Sequence, residues 1–302
     1  MPFADERLET FAAVCDCKSF TKAAEKLSLT QPAVSQHIRK IEEELNVKLF
    51  LRRKGDLVLS PEGEVVLLYA KRMRALCQTM LDSVKFSKSG LKKIRIGITH
   101  TQESGLMVEV LSRLAGTTDN VSITFITDNI TNLYDMLENF EIDVAVIEEK
   151  PTKPNLNFVV LATDYLLCVM SPDNPLANQS AVTLAQLKRQ HLILRLPSSS
   201  TRQKFEATLS SIGESIDSFD IGIEVDSVAT IKNLIKKNIG VSVLANSVCL
   251  KEVAKHSLVA LPVENVSMIR ETTVVYHNTF THPEVIARIA EAYRTISQAN
   301  GK

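Results

Sequence analysis

The sequence predicts two architectures in one chain: an N-terminal all-α winged helix-turn-helix, then a larger α/β region. Three observations carry this. Two short amphipathic helices flank a polar break near residues 28–30, a basic hairpin comes after them, and beyond residue 90 β-branched runs of strand length alternate with helical segments. A chain of 302 residues, 45% hydrophobic, has room for about two domains with sizeable cores.

The formal net charge is +0, yet residues 1–90 hold 15 Lys and Arg against 12 Asp and Glu. A chain so balanced can meet nucleic acid only through a local basic patch, not as a polycation. The start, MPFADERLE, has no basic lead before an apolar run, and no later run reaches membrane-spanning length. We therefore expect a cytoplasmic protein without a membrane partner. Five scattered cysteines, Cys15, Cys17, Cys77, Cys168 and Cys249, argue against a disulfide framework. Cys15-Asp16-Cys17 is too tight to build a metal site alone, so no metal and no cofactor are expected.

In chain order, residues 5–14 form a bracing helix with Leu8, Phe11, Ala12 and Cys15 on one face. Phe20, Ala23, Ala24 and Leu27 then make one apolar stripe, and Val34, Ile38, Ile41 and Leu45 make a second. Thr30 can cap the second helix of the pair and Pro32 suits its first turn. That helix turns Gln31, Ser35, Gln36 and Arg39 outward, with amides and hydroxyls where base edges would lie and Arg39 where phosphates would. An ordinary solvated face on a helical hairpin has the same pattern. The stretch after the helix pair separates the two readings: Lys48, Arg52, Arg53 and Lys54 come without an acid, and Lys54-Gly55-Asp56 turns between two strand-like runs. A basic wing beside a recognition helix grips flanking backbone or minor groove.

Together, Gln31-Pro32-Ala33-Val34-Ser35, Ile38, Ile41-Glu42, Leu45, Leu49-Phe50, Arg52 and Leu59-Ser60-Pro61-Glu62-Gly63 resemble the signature of the LysR-type transcriptional regulators. Asn46 stands where that family usually has glycine, and Pro61-Glu62 replaces its commoner pair before Gly63. Asn tolerates left-handed backbone angles, so the turn survives. The resemblance implies a sequence-specific regulator that binds double-stranded promoter DNA, with Thr30, Gln31, Pro32, Ser35, Gln36, Arg39, Arg52, Arg53 and Lys54 on the DNA. RNA polymerase is a further partner of such a regulator.

Residues 61–86 read as one long helix with Val66, Tyr69, Met73, Leu76 and Met80 at spacings of three and four. The seam can pack on its own domain. The resemblance implies instead that it pairs with the same helix of a second copy, in a homodimer or homotetramer. Ser87-Lys88-Ser89-Gly90 reads as a hinge, which divides the chain into residues 1–60, a linker 61–90 and a regulatory region 91–302.

KIRIGIT, VSITFIT, DVAVI, FVVLAT, LLCVMS, HLILRL, IGIEV, GVSVLA, LVALPV and ETTVVYH read as strands. Helices are expected over 105–114, 130–140, 184–190, 201–212 and 228–237. That alternation predicts mostly parallel sheets covered on both faces. No GxGxxG follows a strand, which removes a dinucleotide site. The resemblance implies a two-lobed fold like the type II periplasmic binding proteins. Lobe I would hold about 91–163 and 267–302, completed by ETTVVYH and a last helix over 282–299, and lobe II about 164–266.

In such a fold the cleft receives strand ends and helix starts, which offer N–H groups to anions. Thr99, His100, Thr101 and Gln102 open one helix, and Ser198, Ser199, Ser200 and Thr201 beside Arg202 open another. Serine and threonine are also good N-caps in their own right. Thr127 and Asp226 reach the same cleft if the family arrangement holds, although Asp226 can equally cap the next helix and His100 can be structural. The expected effector is a small anionic metabolite. No GxSxG, HExxH, phosphate loop or CxxC is present, so an enzyme is not expected. A cysteine redox switch on the same scaffold is the alternative, since some LysR relatives sense peroxide through a cysteine pair in the second lobe. Residues 198–211 hold no cysteine here.

Overall fold

The computed structural model describes residues 5–53, 56–86, 92–117 and 121–300. The chain divides at Lys92 into a helical unit and an α/β unit. In the first, α1 (Glu6–Cys17), α2 (Phe20–Leu27) and α3 (Gln31–Leu45) each begin on a side-chain cap, from Asp5, Ser19 and Thr30 respectively. Each also ends on a left-handed residue, Lys18, Ser28 and Asn46. Asn46, at φ 53°, takes the conformation a glycine would supply. Phe11, Val14, Ala23, Ala24, Val34, Ile38, Ile41 and Leu49 form the shared core. Phe50 joins it through its ring contacts with Phe11 and Phe20.

The wing is an antiparallel pair, β1 (Phe50–Arg53) and β2 (Asp56–Leu59). The side chains of Arg52 and Arg53 and the whole of Lys54 lie outside the described residues. Glu42 fixes the approach to the wing by accepting the Leu49 N–H at 2.9 Å and the Lys48 ammonium at 2.6 Å. Ser60 donates to the Lys48 carbonyl and accepts the Gly63 N–H, which starts α4 (Pro61–Phe86) against the wing. A Cβ on Gly63 would stand 2.2 Å from the Leu49 carbonyl oxygen, so only glycine fits. Gly63→Ala is expected to cost about 1–3 kcal/mol by overpacking, read as a lower urea midpoint for the helical unit. An unchanged midpoint would contradict this packing.

The α/β unit runs β3 (Lys92–Ile98), α5 (His100–Ser104), α6 (Met107–Thr117), β4 (Val121–Thr127), α7 (Ile130–Glu138), β5 (Val144–Ile147) and β6 (Leu156–Met170). It continues α8 (Leu184–Leu187), β7 (Leu192–Arg195), α9 (Ser200–Ser211), β8 (Ile221–Val225), α10 (Val228–Lys236), β9 (Ser242–Ala245) and α11 (Leu250–Ala254). It closes with β10 (Val259–Leu261), β11 (Ile269–His277) and α12 (Pro283–Asn300). One core gathers Ile94, Ile96, Met107, Val144, Val274 and Ile289, and another Val169, Leu192, Ile193, Phe205, Ile231 and Val243. These are two lobes, as in the type II periplasmic-binding-protein fold.

Two expectations about the strands are corrected. FVVLAT and LLCVMS are not separate strands but the two halves of β6, whose start pairs with β11 and whose end pairs with β9 and β10. The sheets are also not mostly parallel. β3 pairs with β5 in parallel, as does β7 with β8, but among the described residues β6 and β11 meet their neighbours antiparallel. The reason is that β6 and β11 are the crossings between lobes, and a strand that returns beside the one that left must run against it.

The seam on α4 also shifts by one residue at its start. Val66 packs against the core of the helical unit, while Val65, Tyr69, Met73, Leu76, Met80 and Val84 are the exposed apolar stripe.

Candidate functional site

In the helical unit Thr30, Gln31, Pro32, Gln36 and Arg39 are exposed and Ser35 is half-buried, all on one side of α3. The opposite side carries Val34, Ile38 and Ile41 into the core, so the helix cannot rotate without losing buried apolar area. Gln31 Nε2 donates to Ser35 Oγ at 2.8 Å, and Arg39 pairs with Glu43 at 2.7 Å. Both bonds are on the surface and cheap to exchange for contacts with a base or phosphate.

In the α/β unit a cleft of about 110 Å³ is lined by Thr99, His100 and Thr101 at the start of α5 and by Asp128, Asn129 and Ile130 at the start of α7. Ser198, Ser199 and Ser200 at the start of α9, with Arg195 and Asp226, complete it. That volume is several times what one water needs. Thr99, Asn129 and Ser199 are the caps of the three helices, each accepting the N–H three residues on. The N–H groups just inside each cap have no acceptor within an α-helix, so three helix starts present donors to one space.

Parallel pairing of β7 and β8 brings their ends to one edge, which sets Asp226 beside Arg195 at 2.9 Å. The Arg195 side chain is 2% exposed and its Nε has no hydrogen-bond partner. A buried donor left unmade is costly, so this arginine is held at the cleft wall with hydrogen-bonding capacity to spare. His100 Nε2 lies 3.4 Å from Asp226. Asp226 does not cap α10; Ser227 does.

Of the residues expected at the cleft, Thr99, His100, Thr101, Ser198, Ser199, Ser200 and Asp226 meet there. Gln102 and Thr201 are buried behind it. Gln102 bonds to Glu148 and Thr272, and Thr201 to Arg270. Thr127 is not among the lining residues; the next three, Asp128 to Ile130, are, because the turn after β4 carries the chain inward. Arg195, Asp128, Asn129 and Glu148 were not singled out by sequence. A usable signal existed for three of them: an arginine ending the apolar run HLILR, and Asp128-Asn129 capping a helix straight after a strand.

Two family models match the chain. One, described as the LysR substrate binding domain, covers residues 89–296, and the other, described as bacterial regulatory helix-turn-helix protein, lysR family, covers residues 6–64. The chain belongs to the LysR family. It is a DNA-binding transcriptional regulator with an effector-binding domain, and it is not an enzyme. Similar LysR-family chains include the RuBisCO operon transcriptional regulator of Allochromatium vinosum, 28% identical over 274 residues, which span 89% of this chain and 88% of that one. The HTH-type regulator CysL of Bacillus subtilis is 26% identical over 271 residues, 89% of each chain. Among solved structures, CbnR superposes with a TM-score of 0.67 at 18% identity over 96% of this chain and 98% of its own. OxyR from Pseudomonas aeruginosa superposes with a TM-score of 0.64 at 21% identity over 95% of this chain and 93% of its own. At such identities these two structures report the fold.

The redox alternative finds little footing in this LysR chain. Cys168 and Cys249 are buried, and burial pushes each thiol up from an ordinary 9.0 to about 12. A thiol held protonated is a poor nucleophile toward peroxide. Among the described residues no helix is long and apolar enough to cross a membrane.

Proposed function

We propose that this regulator reads promoter DNA through the exposed face of α3 and the basic wing, pairs through α4, and answers to a small anionic metabolite in the cleft of its α/β unit. The cleft observation carries the effector reading: three helix starts and a buried arginine line one space. Backbone N–H groups and an arginine fork suit carboxylate or phosphate oxygens. Residues 1–60 act as the reader, 61–90 as the pairing linker and 91–302 as the effector domain. The protein acts in the cytoplasm, where its promoter and RNA polymerase are.

The test is a thermal-shift screen of the full chain against small carboxylates, phosphates, neutral sugars and amines. Any ligand specific to the folded state stabilises it by mass action, by about 2.7 kcal/mol at a hundredfold excess over Kd. Only anions are expected to raise the melting temperature. Stabilisation confined to neutral or cationic compounds would overturn the reading.

On the DNA side, Gln36→Ala is expected to change which bases are preferred, because an amide reads base edges. Loss of Arg52 or Arg53 should weaken all sequences alike and lower the salt slope by about one unit per lost phosphate contact. Site selection from random DNA, followed by binding at several salt concentrations, separates the two. Uniform weakening by Gln36→Ala, with unchanged preference, would remove direct readout at that position.

A further inference from the structure

We infer that the cleft selects an anion which also carries a hydroxyl or ammonium group, and that Glu148 imposes this choice as a positioning residue. The inference rests on the anion reading above. Glu148 follows β5 and is 5% exposed. Its Oε1 accepts from Thr99 Oγ1 and from Gln102 Nε2 at 3.0 Å, and its Oε2 accepts from Ser200 Oγ at 2.9 Å. Thr99 and Ser200 line the cleft, while Glu148 stands behind them.

A hydroxyl owns one proton. Ser200 has committed its proton to the carboxylate, so the face it offers the cleft consists of lone pairs. Thr99 is committed in the same way, and one of its lone pairs already accepts the Gln102 N–H at 3.2 Å. Two hydroxyls that would serve as donors to an anion are thereby turned into acceptors. Asp128 and Asp226 add negative charge to the wall, against the single guanidinium of Arg195. A plain carboxylate would gain the helix starts and Arg195 but set bare oxygens against Ser200 and Thr99. A hydroxy acid or amino acid keeps the first contact and supplies the missing proton at the second. Lone pairs left facing lone pairs penalise the analogue that lacks that donor more than a made bond rewards the one that has it.

The experiment is calorimetric titration of the full chain with two matched series, succinate against malate and aspartate, and propionate against lactate. In each series the hydroxylated or aminated member is expected to bind about tenfold to a hundredfold more tightly than the plain acid. In Glu148→Gln the amide can donate where the carboxylate accepted, which frees the Ser200 proton, and the preference should fall to within about threefold. Should that variant fail to fold, Ser200→Ala removes one of the two acceptors and should also shrink the preference while plain-acid binding persists. Equal affinities within both series for the natural chain would overturn this inference and leave the anion reading standing. An unchanged preference in both variants would overturn the role given to Glu148. Failure of every acid here to bind, together with failure of the phosphates in the thermal-shift screen, would overturn both readings.

Discussion

Leu76→Glu is expected to break the assembly into smaller species while the α/β unit stays folded. The exposed stripe on α4 runs Val65, Tyr69, Met73, Leu76, Met80 and Val84, with Leu76 51% exposed. Its spacings of three and four keep it on one side of the helix, which is the pattern of a coiled-coil seam. A helix of 26 residues with one side so apolar is poorly placed in water and well placed against a copy of itself. A glutamate at the centre of that seam would be buried twice in a symmetric pair, without a cation for either carboxylate. Leaving a buried charge unpaired costs on the order of 3–5 kcal/mol, enough to move a dimerisation constant by two orders of magnitude or more. Sedimentation velocity checks it. Unchanged assembly would mean that the stripe is covered by something other than a second α4.

The second large effect is expected at Arg195. Arg195→Gln keeps a planar donor of smaller reach but loses the charge, and the cleft then holds two carboxylates without a guanidinium or ammonium among its lining residues. Anion affinity should fall by about a hundredfold, since a charge-assisted bond is worth roughly 1.5–3 kcal/mol and a bidentate one more. Effector-free affinity for DNA should stay within about twofold, the ordinary scatter for a change distant from the contact. Calorimetry on the cleft and anisotropy on a promoter fragment report the two separately. Full retention of anion binding would place the charged contact elsewhere.

Much of the reader was legible because its signals are local. A cap, a proline in the first turn and a 3.6-residue apolar period bound α3 within one stretch of sequence, and Pro61 to Phe86 was readable as a single helix for the same reason. The corrections concern what local signals cannot carry. Nothing in FVVLAT or LLCVMS says that they are collinear, because that depends on β9, β10 and β11, as many as a hundred or so residues further on. Val65 and Val66 are neighbours of equal hydropathy, and only the position of α1 and the wing decides which turns inward. At the cleft, the serine-rich start of α9 was visible as a run of hydroxyls. The direction of the Ser200 hydroxyl was not, since it is set by Glu148, some fifty residues earlier in the chain.

The tight start of α4 has a mechanical consequence. Ser60 bonds to the chain on both sides of the wing, and Gly63 sits against the Leu49 carbonyl, so the first turn of the helix cannot swivel on the reader. Its 26 residues then make a rigid arm of roughly 39 Å at 1.5 Å per residue. A tilt of about 5° at one end of an arm that long sweeps the other end by roughly 3 Å, close to the rise of one base pair. If two such arms pair as proposed, the point at which they cross would fix how far apart two readers stand and would work as a ruler for the spacing of half-sites along the groove.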